Sequence, residues 1–248
     1  MSLQGIHHIH LPETESTNKY AKEVCSDTGE LLISTDHQTA GRGQRGNSWE
    51  SEASKNLLFS LTIRPENIPA TEQFAICELI SVAICEVLEH YTSDIHIKWP
   101  NDIYYRDEKL CGILIEHNLE GVHLSRTIIG VGLNANQKNF VSDAPNPVSL
   151  YQILGHEVER EPLLEKIVGH FMELYHQYTS PIPTLHRTAL HERYTNLLYR
   201  RGKEAMYRDA NGPFIATLHD VEHDGQLILV DQLGKRHHYL FKEVSYII

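Results

Sequence analysis

The sequence predicts an α+β protein whose larger part combines strands and helices and whose C-terminal end is a small β-barrel. Up to Tyr194, apolar runs of strand length alternate with segments in which apolar residues recur at helical spacing. From residue 203 to the end, short strand-like runs are separated by turn residues. The chain has 248 residues, 41% of them hydrophobic, which suits one large domain with a small appendage.

The first predicted element is a helix at 19–25, because the hydroxyl and amide side chains at 14–18 can cap its N-terminus. The apolar patterns then predict, in chain order, strands at 31–34 and 57–63, a helix at 71–90, strands at 95–98, 103–105, 110–116 and 122–132, and helices at 161–178 and 184–194. A polar, glycine-rich loop at 35–56 separates the first two strands.

The C-terminal segment 203–248 is predicted to contain five short strands. Asp224-Gly225 between apolar runs is a strong hairpin signal, and further turn residues stand at 209–212 and 233–235. Five short strands in a segment of this length indicate a small barrel. We therefore expect a domain boundary near Asn196, with domains 1–195 and 196–248.

Charge and cysteine content limit the classes of partner. The net charge of -11 argues against nucleic acid as the main partner, because duplex-binding proteins have a basic face. No apolar stretch reaches membrane-spanning length, so no membrane partner is expected. No C-x-x-C motif links the cysteines, which are Cys25, Cys77, Cys85 and Cys111. We expect reduced thiols and a cytoplasmic protein.

The 17 histidines include a group at residues 7, 8 and 10 and a pair at 237 and 238. His8 and His10 would share one face of a strand. No nearby carboxylate or cysteine completes a ligand set, so we expect no metal site here.

The stretch GRGQRG (41–46) matches G-x-G-x-x-G, the pattern of a dinucleotide-binding turn. That turn must follow a strand closely and begin a helix, whereas here the preceding strand ends at 34 and a strand follows. The P-loop is excluded because no Gly-Lys-Ser/Thr follows. Arg42 and Arg45 add forked donors that suit phosphate or carboxylate. The loop is therefore either an anion clamp or a solvated surface loop.

Three further motifs favour the anion clamp. KWPND (98–102), KLCGILIE (109–116) and GVGLNAN (130–136) place polar and charged side chains at the ends of predicted strands. Sites are usually built at such edges.

Five segments together resemble the biotin protein ligases in order and spacing. They are ESTN (15–18), QTAGRGQRGNSW (38–49), KWPNDIY (98–104), KLCGILIE (109–116) and GVGLN (130–134). The resemblance implies a class II synthetase-like mixed sheet with helices at 1–195 and an SH3-like barrel at 196–248. It also implies the monofunctional type, since the residues before Glu13 leave no room for an N-terminal DNA-binding domain.

The resemblance implies an ATP-dependent ligase. Biotin and ATP would form biotinyl-5′-adenylate and pyrophosphate, with Mg²⁺ on the ATP, and biotin would pass to a lysine of a biotin carboxyl carrier protein domain. The sequence leaves the oligomeric state open, with a homodimer as one alternative.

Residue roles carried over by the resemblance fall into three groups, with no metal ligands. The biotin-binding residues would be Ser16, Thr17, Asn18, Gln38, Gly41, Arg42, Gly43, Gln44, Lys109 and Gly112. The residues that bind ATP or the adenylate would be Arg45, Trp49, Lys98, Asn101 and Asn134. The catalytic residues would be Arg42, Lys109 and Asp102.

Two departures and two alternatives accompany this interpretation. Relatives often have arginine at the position of Gln44 and a basic residue at that of Asn47, so this loop carries less positive charge.

A lipoate ligase shares the adenylation chemistry, but the intact glycine loop and KWPND motifs favour biotin. A biotin-binding sensor is the non-enzymatic alternative, and the charged residues retained at 42, 98, 102 and 109 argue against it.

Overall fold

A seven-stranded mixed sheet forms the larger part of the computed structural model, which describes residues 5–24, 29–43, 47–65, 67–141 and 146–248. Its strands are β1 (His7–Leu11), β2 (Leu31–Thr35), β3 (Leu57–Ile63), β4 (Ile95–Lys98), β5 (Asp102–Tyr105), β6 (Glu108–Glu120) and β7 (His123–Leu133). Their spatial order is β1-β2-β3-β7-β6-β5-β4. The β1–β2 pair is parallel and the other neighbouring pairs are antiparallel, so the predicted mixed sheet is confirmed.

Helices cover both faces of this sheet. They are α1 (Thr17–Val24), α2 (Phe74–Leu88), α3 (Leu150–Leu154), α4 (Arg160–Thr179) and α5 (Arg187–Asn196). Helix α1 packs on the face that carries Leu31, Ile33 and Ile128. Helices α2 and α4 belong to the main core on the other face, where Leu32 and Phe59 lie. Alternate residues of β2 thus serve opposite faces, as the two-residue period of a strand requires.

Helix α2 lies at the centre of the helical layer because it is apolar on nearly all sides, and its carboxylates Glu78 and Glu86 are held in ion pairs. Thirteen of its 15 residues are buried, and it contacts both α4 and α5. A helix that is apolar all round is stable only when it is surrounded by protein. Cys77 and Cys85 of this helix, and Cys111 of β6, are buried and free.

The C-terminal segment forms a separate five-stranded antiparallel sheet, as the turn signals predicted. Its strands are β8 (Glu204–Asp209), β9 (Gly212–Val221), β10 (Leu227–Asp231), β11 (Arg236–Tyr239) and β12 (Ser245–Tyr246), in the spatial order β11-β10-β9-β8-β12. The division into domains 1–195 and 196–248 remains a prediction, with α5 ending at Asn196. Among the described residues, none of the helices combines the length and apolar character that a membrane crossing requires.

A partly exposed ionic cluster joins three helices of the helical layer. Glu86 of α2 accepts hydrogen bonds from Arg193 of α5 at 2.5 Å and from His170 of α4 at 2.7 Å. The hydrogen bond to Glu86 raises the pKa of His170, and Glu173 adds to this effect. The charged imidazolium is therefore favoured in the folded state.

We expect His170→Ala to lower the free energy of unfolding more in mild acid than in mild base. A raised folded-state pKa gives stability that is fully present below the ordinary value of 6.5 and is lost as the pH rises through the folded pKa. For a partly exposed ion pair the pH-dependent part is about 0.5–1 kcal/mol. Urea unfolding of the variant and the parent chain at about pH 5.5 and about pH 8.5 measures it. An equal loss at both pH values would contradict this assignment.

Candidate functional site

A cavity of about 990 Å³ lies over β6 and β7 and brings the predicted motifs together. Its lining comes from the start of α1, the loop before β3, the β4–β5 connection, the two strands and the C-terminal sheet. The predicted site residues that line it are Ser16, Thr17, Asn18, Gln38, Arg42, Gly43, Trp49, Lys98, Asn101, Asp102, Lys109, Gly112 and Asn134. Gly41 instead accepts a backbone hydrogen bond from Trp49 at 3.0 Å. Gln44 and Arg45 lie outside the described residues.

Hydroxyl and amide groups form one part of the cavity wall. The Thr17 backbone N–H donates to Gln38 Oε1 at 2.8 Å, and the Thr17 hydroxyl lies 3.2 Å from the same oxygen. Ser60 Oγ of β3 donates to Asn18 Oδ1 at 2.6 Å and lies 2.7 Å from Thr17 Oγ1. Ser16 is buried beside them. Because the Gln38 carbonyl is used by Thr17, its amide N–H groups are what it can offer a ligand.

Asn18 is held in one orientation by β6. Its Nδ2 donates to Glu116 Oε2 at 2.9 Å and to Leu114 O at 3.3 Å, which makes Oδ1 the acceptor that faces Ser60. Burial alone would raise the pKa of Glu116, but hydrogen bonds from Lys22 and Asn18 outweigh burial and lower this pKa. The carboxylate therefore stays ionised and keeps Asn18 fixed.

Glycines on β6 and β7 make room for side chains that lie flat on the sheet. A Cβ at Gly130 would come within 2.1 Å of Asn18 Oδ1. The Trp49 ring rests on the cross-strand pair Gly112 and Gly132, where added Cβ atoms would lie 2.8 and 2.5 Å from ring carbons. The buried Trp49 Nε1 has no hydrogen-bond partner among the described residues. An unpaired buried donor in a cavity is suited to an acceptor on a ligand.

A carboxylate between two lysines forms the charged part of the site. Lys109 Nζ lies 2.8 Å from Asp102 Oδ2 and 5.8 Å from the centre of the Trp49 ring. The Lys98 ammonium is 5.1 Å from the Tyr104 ring and 5.2 Å from the Tyr246 ring. Burial lowers the pKa of Lys98, and Asp102 opposes that effect. Two cations and one anion leave a net positive charge, which suits an anionic ligand.

Two asparagines complete the polar lining. Asn101 Nδ2 donates to Ile113 O at 3.0 Å, and Asn134 Nδ2 donates to Val148 O at 3.0 Å. Asn134 Oδ1 is buried without a partner in the part of the chain that the structure describes. It is an acceptor available to an amino or N–H donor of a ligand.

The loop that carries Arg42 folds back on itself beside the cavity. Arg42 forms a β-bridge with Ser48, and the Gly43 N–H donates to Asn47 O at 2.6 Å.

Within residues 5–24, 29–43, 47–65, 67–141 and 146–248, no group of three His, Cys, Asp or Glu side chains is arranged to hold a metal.

Sequence reasoning missed the contribution of the C-terminal sheet. Phe241, Lys242 and residues 244–246 line the cavity, although they lie far along the chain from every motif. Ser60 and Gly130 were also missed as parts of the polar cluster. Gly130 begins the GVGLNAN motif but was given no role there, and no local pattern marks the others, because their role arises only when distant strands pair.

Comparisons with known proteins agree with this architecture. Residues 11–134 match the Biotin/lipoate A/B protein ligase family. The "Bifunctional ligase/repressor BirA" of Bacillus spizizenii is 30% identical over 244 residues, covering 94% of this chain and 72% of the relative. The "Biotin--[acetyl-CoA-carboxylase] ligase" of Paracoccus denitrificans is 25% identical, covering 91% of this chain and 95% of that protein.

A solved structure extends the comparison to the whole fold. The biotin protein ligase from Aquifex aeolicus, in complex with biotin and ATP, superposes with a TM-score of 0.78 at 24% identity. The alignment covers 96% of this chain and 97% of that one. The fold is therefore shared along nearly the entire chain, including the C-terminal sheet.

Proposed function

Because the chain belongs to the biotin/lipoate A/B protein ligase family and is an enzyme of the biotin–protein ligase type, we propose the following reaction. The enzyme joins biotin to ATP as biotinyl-5′-adenylate. It then transfers biotin to a lysine of a biotin carboxyl carrier protein domain.

The observation that carries this proposal is the series of groups along one face of β7. Gly130 and Gly132 point to the same side of β7, Asn134 follows just after the strand ends and also lines the cavity, and the series spans about 13 Å at roughly 3.3 Å per residue. Asn18 lies on Gly130, Trp49 lies on Gly132, and Asn134 follows. These groups follow the order of the parts of biotinyl-adenylate. The amide cluster around Asn18 would face the biotin ring, the Trp49 indole would lie beside the acyl phosphate, and the unpaired Asn134 acceptor would face the nucleoside.

The amide cluster suits the cyclic urea of biotin. A urea has one acceptor oxygen and two N–H donors, and the cluster offers the Gln38 amide N–H groups and the Asn18 Oδ1 acceptor. Sites built to pair such groups discriminate strongly against analogues that lack them. The valeryl chain would then run along the glycine faces of β6 and β7.

The first step brings a carboxylate against a polyphosphate, so cations must reduce their repulsion. A biotin carboxylate oxygen forms a bond to the α-phosphorus while the bond to the departing pyrophosphate breaks. The Lys109 ammonium leaves Asp102 and contacts the reacting carboxylate and phosphate oxygens instead. Arg42, on the loop before β3, contacts the same oxygens from the other side. Mg²⁺ would be part of the substrate Mg·ATP, where it would neutralise phosphate charge. Asp102 already pairs with Lys109, so the ion would be held by the ATP phosphates and by water, which Mg²⁺ commonly keeps.

The second step requires a free amine. The carrier lysine nitrogen attacks the carbonyl carbon of the mixed anhydride, the bond to AMP breaks, and the nitrogen loses a proton. We assign Asp102 to orient the incoming ammonium and to accept the proton whose loss gives the free amine, while the second proton passes from the nitrogen to solvent after the attack. Asn134 Oδ1 would accept a hydrogen bond from the adenine amino group. This contact would help to hold the adenylate in the site between the two steps.

Gly130→Ala should weaken biotin binding on the order of 10- to 100-fold, because an added Cβ forces Asn18 out of its hydrogen bonds and each such loss costs about 1–3 kcal/mol. Calorimetric titration with biotin measures the effect. Gly121→Ala at the β6–β7 turn controls for general destabilisation, because φ is +61° there and the strain of the added Cβ lies outside the cavity lining. Unchanged affinity in the Gly130 variant would remove Asn18 from the biotin site.

Pyrophosphate release tests the reaction itself. With Mg·ATP, the chain is expected to release pyrophosphate on addition of biotin and to release little on addition of lipoate. The reverse preference would identify a lipoate ligase, and biotin binding without pyrophosphate release would identify a sensor.

A further inference from the structure

Trp99 and Lys98 tie the β4–β5 connection to the C-terminal sheet. Trp99 is 5% exposed, and its Nε1 donates to Gly225 O at 2.9 Å. Its ring meets Phe241 edge-on, with 5.9 Å between centroids. The Lys98 ammonium lies 5.2 Å from the Tyr246 ring. Lys98, Trp99 and the three residues that follow them all line the cavity, so this connection links the C-terminal sheet to the site.

The acceptor of the Trp99 hydrogen bond is itself fixed in place. Gly225 has a φ of +93°, and a Cβ there would lie 2.6 Å from the Phe74 ring. Phe74 packs edge-on against Tyr194 with 5.5 Å between centroids. The Tyr194 hydroxyl donates to Pro100 O at 2.7 Å. These contacts close a ring that returns to the peptide next to Trp99.

The turn that carries Gly225 is anchored a second time on the helical layer. Arg187 Nη2 donates to His223 O at 2.9 Å, and Arg187 also pairs with Glu78, which is fully buried. His191 donates to the same carboxylate at 2.7 Å, and its ring centroid lies 4.5 Å from that of His223. Loss of one partner of a buried ion pair is costly, so the turn has a defined position relative to α2 and α5.

We propose that Trp99 is a positioning residue for catalysis, because its hydrogen bond to Gly225 holds Asn101 and Asp102 at the reaction centre. The inference rests on the proposed function. The hydrogen bonds that fix Thr17, Asn18 and Gln38 join α1 to β3, to β6 and to Gln38, and among the described residues none of them involves Trp99. Loss of the Trp99–Gly225 hydrogen bond should therefore lower the rate of the chemical steps and leave the affinity for biotin unchanged.

Trp99→Phe tests this inference, because it removes the N–H donor and retains a ring against Phe241. We expect kcat for carrier biotinylation to fall on the order of 10- to 100-fold, the scale of a small misplacement of reacting groups, with less than about a twofold change in KM for biotin. Amide hydrogen exchange in the peptide that spans residues 101–105 should become faster. Tyr175→Phe is the matched control, since it removes a buried hydrogen bond to Arg64 O (3.2 Å) outside the cavity.

The outcomes separate the inference from the proposed function. A wild-type kcat and unchanged exchange at 101–105 in the Trp99 variant would overturn the inference and leave only a contact that stabilises the C-terminal sheet. A large rise in KM for biotin would also overturn it. If the parent chain releases no pyrophosphate with biotin, the proposed function fails, and the exchange measurement alone then decides whether Trp99 positions this segment.

Discussion

Lys109→Ala is expected to reduce first-turnover pyrophosphate release on the order of 10²- to 10³-fold, while biotin binds with nearly unchanged affinity. In the structure Lys109 Nζ lies 2.8 Å from Asp102 Oδ2, next to the Trp49 ring. The ammonium has its largest effect where charge develops, on the oxygens between biotin and the α-phosphorus. A charge that acts mainly on the transition state lowers the rate more than the ground-state affinity.

Rapid-quench measurement of pyrophosphate and calorimetry with biotin together test this expectation. Lys166→Ala is a suitable control because its ammonium lies on α4, 3.3 Å from the Tyr91 hydroxyl and away from the cavity. If biotin affinity collapses in the Lys109 variant while turnover at saturating biotin survives, Lys109 is a binding residue only.

Asp102→Asn is expected to slow transfer from preformed adenylate by on the order of 10²-fold or more, the usual scale for loss of a positioned base. The carrier lysine arrives as an ammonium with an ordinary pKa near ~10.4, and only the free amine can attack. The substitution keeps the side-chain shape and an oxygen that can accept from Lys109. Pyrophosphate release in the first turnover should therefore persist.

The Asp102–Lys109 ion pair provides the competing explanation, in which Asp102 only holds Lys109 in place. In that case Asp102→Ala, which removes the oxygen that Lys109 contacts, would lose pyrophosphate release, and both Asp102 variants would retain normal transfer from purified adenylate. Single-turnover transfer to a carrier domain, started from adenylate already bound, distinguishes these two roles. Normal transfer by the variant would remove Asp102 from the second step.

The strands of the large sheet were predictable where one physical pattern dominates. The run LLFSLTI is buried along its whole length and forms β3 at the predicted bounds, and β4 also matches. Helix α2 begins at Phe74, later than predicted, because Ala70–Glu72 forms a 3₁₀ turn first. Such a turn shares the composition of a helical first turn and is distinguished only by its hydrogen bonds.

Two elements were missed for identifiable reasons. The sequence of β1, HHIHL, has two apolar residues among three histidines, so alternation is weak. His8 and His10 instead both contact Ser34 Oγ of β2, at 2.8 and 3.0 Å, which stabilises the parallel pairing. Helix α3 has five residues and depends on a capping box at Ser149 and Gln152, too short a pattern to detect from periodicity.

The residues of the candidate site were also predictable in part, whereas the contacts between them were not. Each motif was visible because its residues are close in sequence, whereas the contacts that orient them join distant positions. Ser60 and Asn18 are 42 residues apart, and Trp99 and Gly225 are 126 apart. Pairings of this kind follow from sheet order and from docking of the C-terminal sheet, which local patterns in a single sequence do not reveal.

The most direct test of the proposed reaction is intact-mass spectrometry of a biotin carboxyl carrier protein domain after incubation with this chain, biotin and Mg·ATP. We predict a mass gain of a single biotin on the acceptor lysine, which requires ATP and is lost with the Lys109→Ala variant. An unmodified carrier in the presence of active chain, or modification by lipoate in place of biotin, would contradict the assignment.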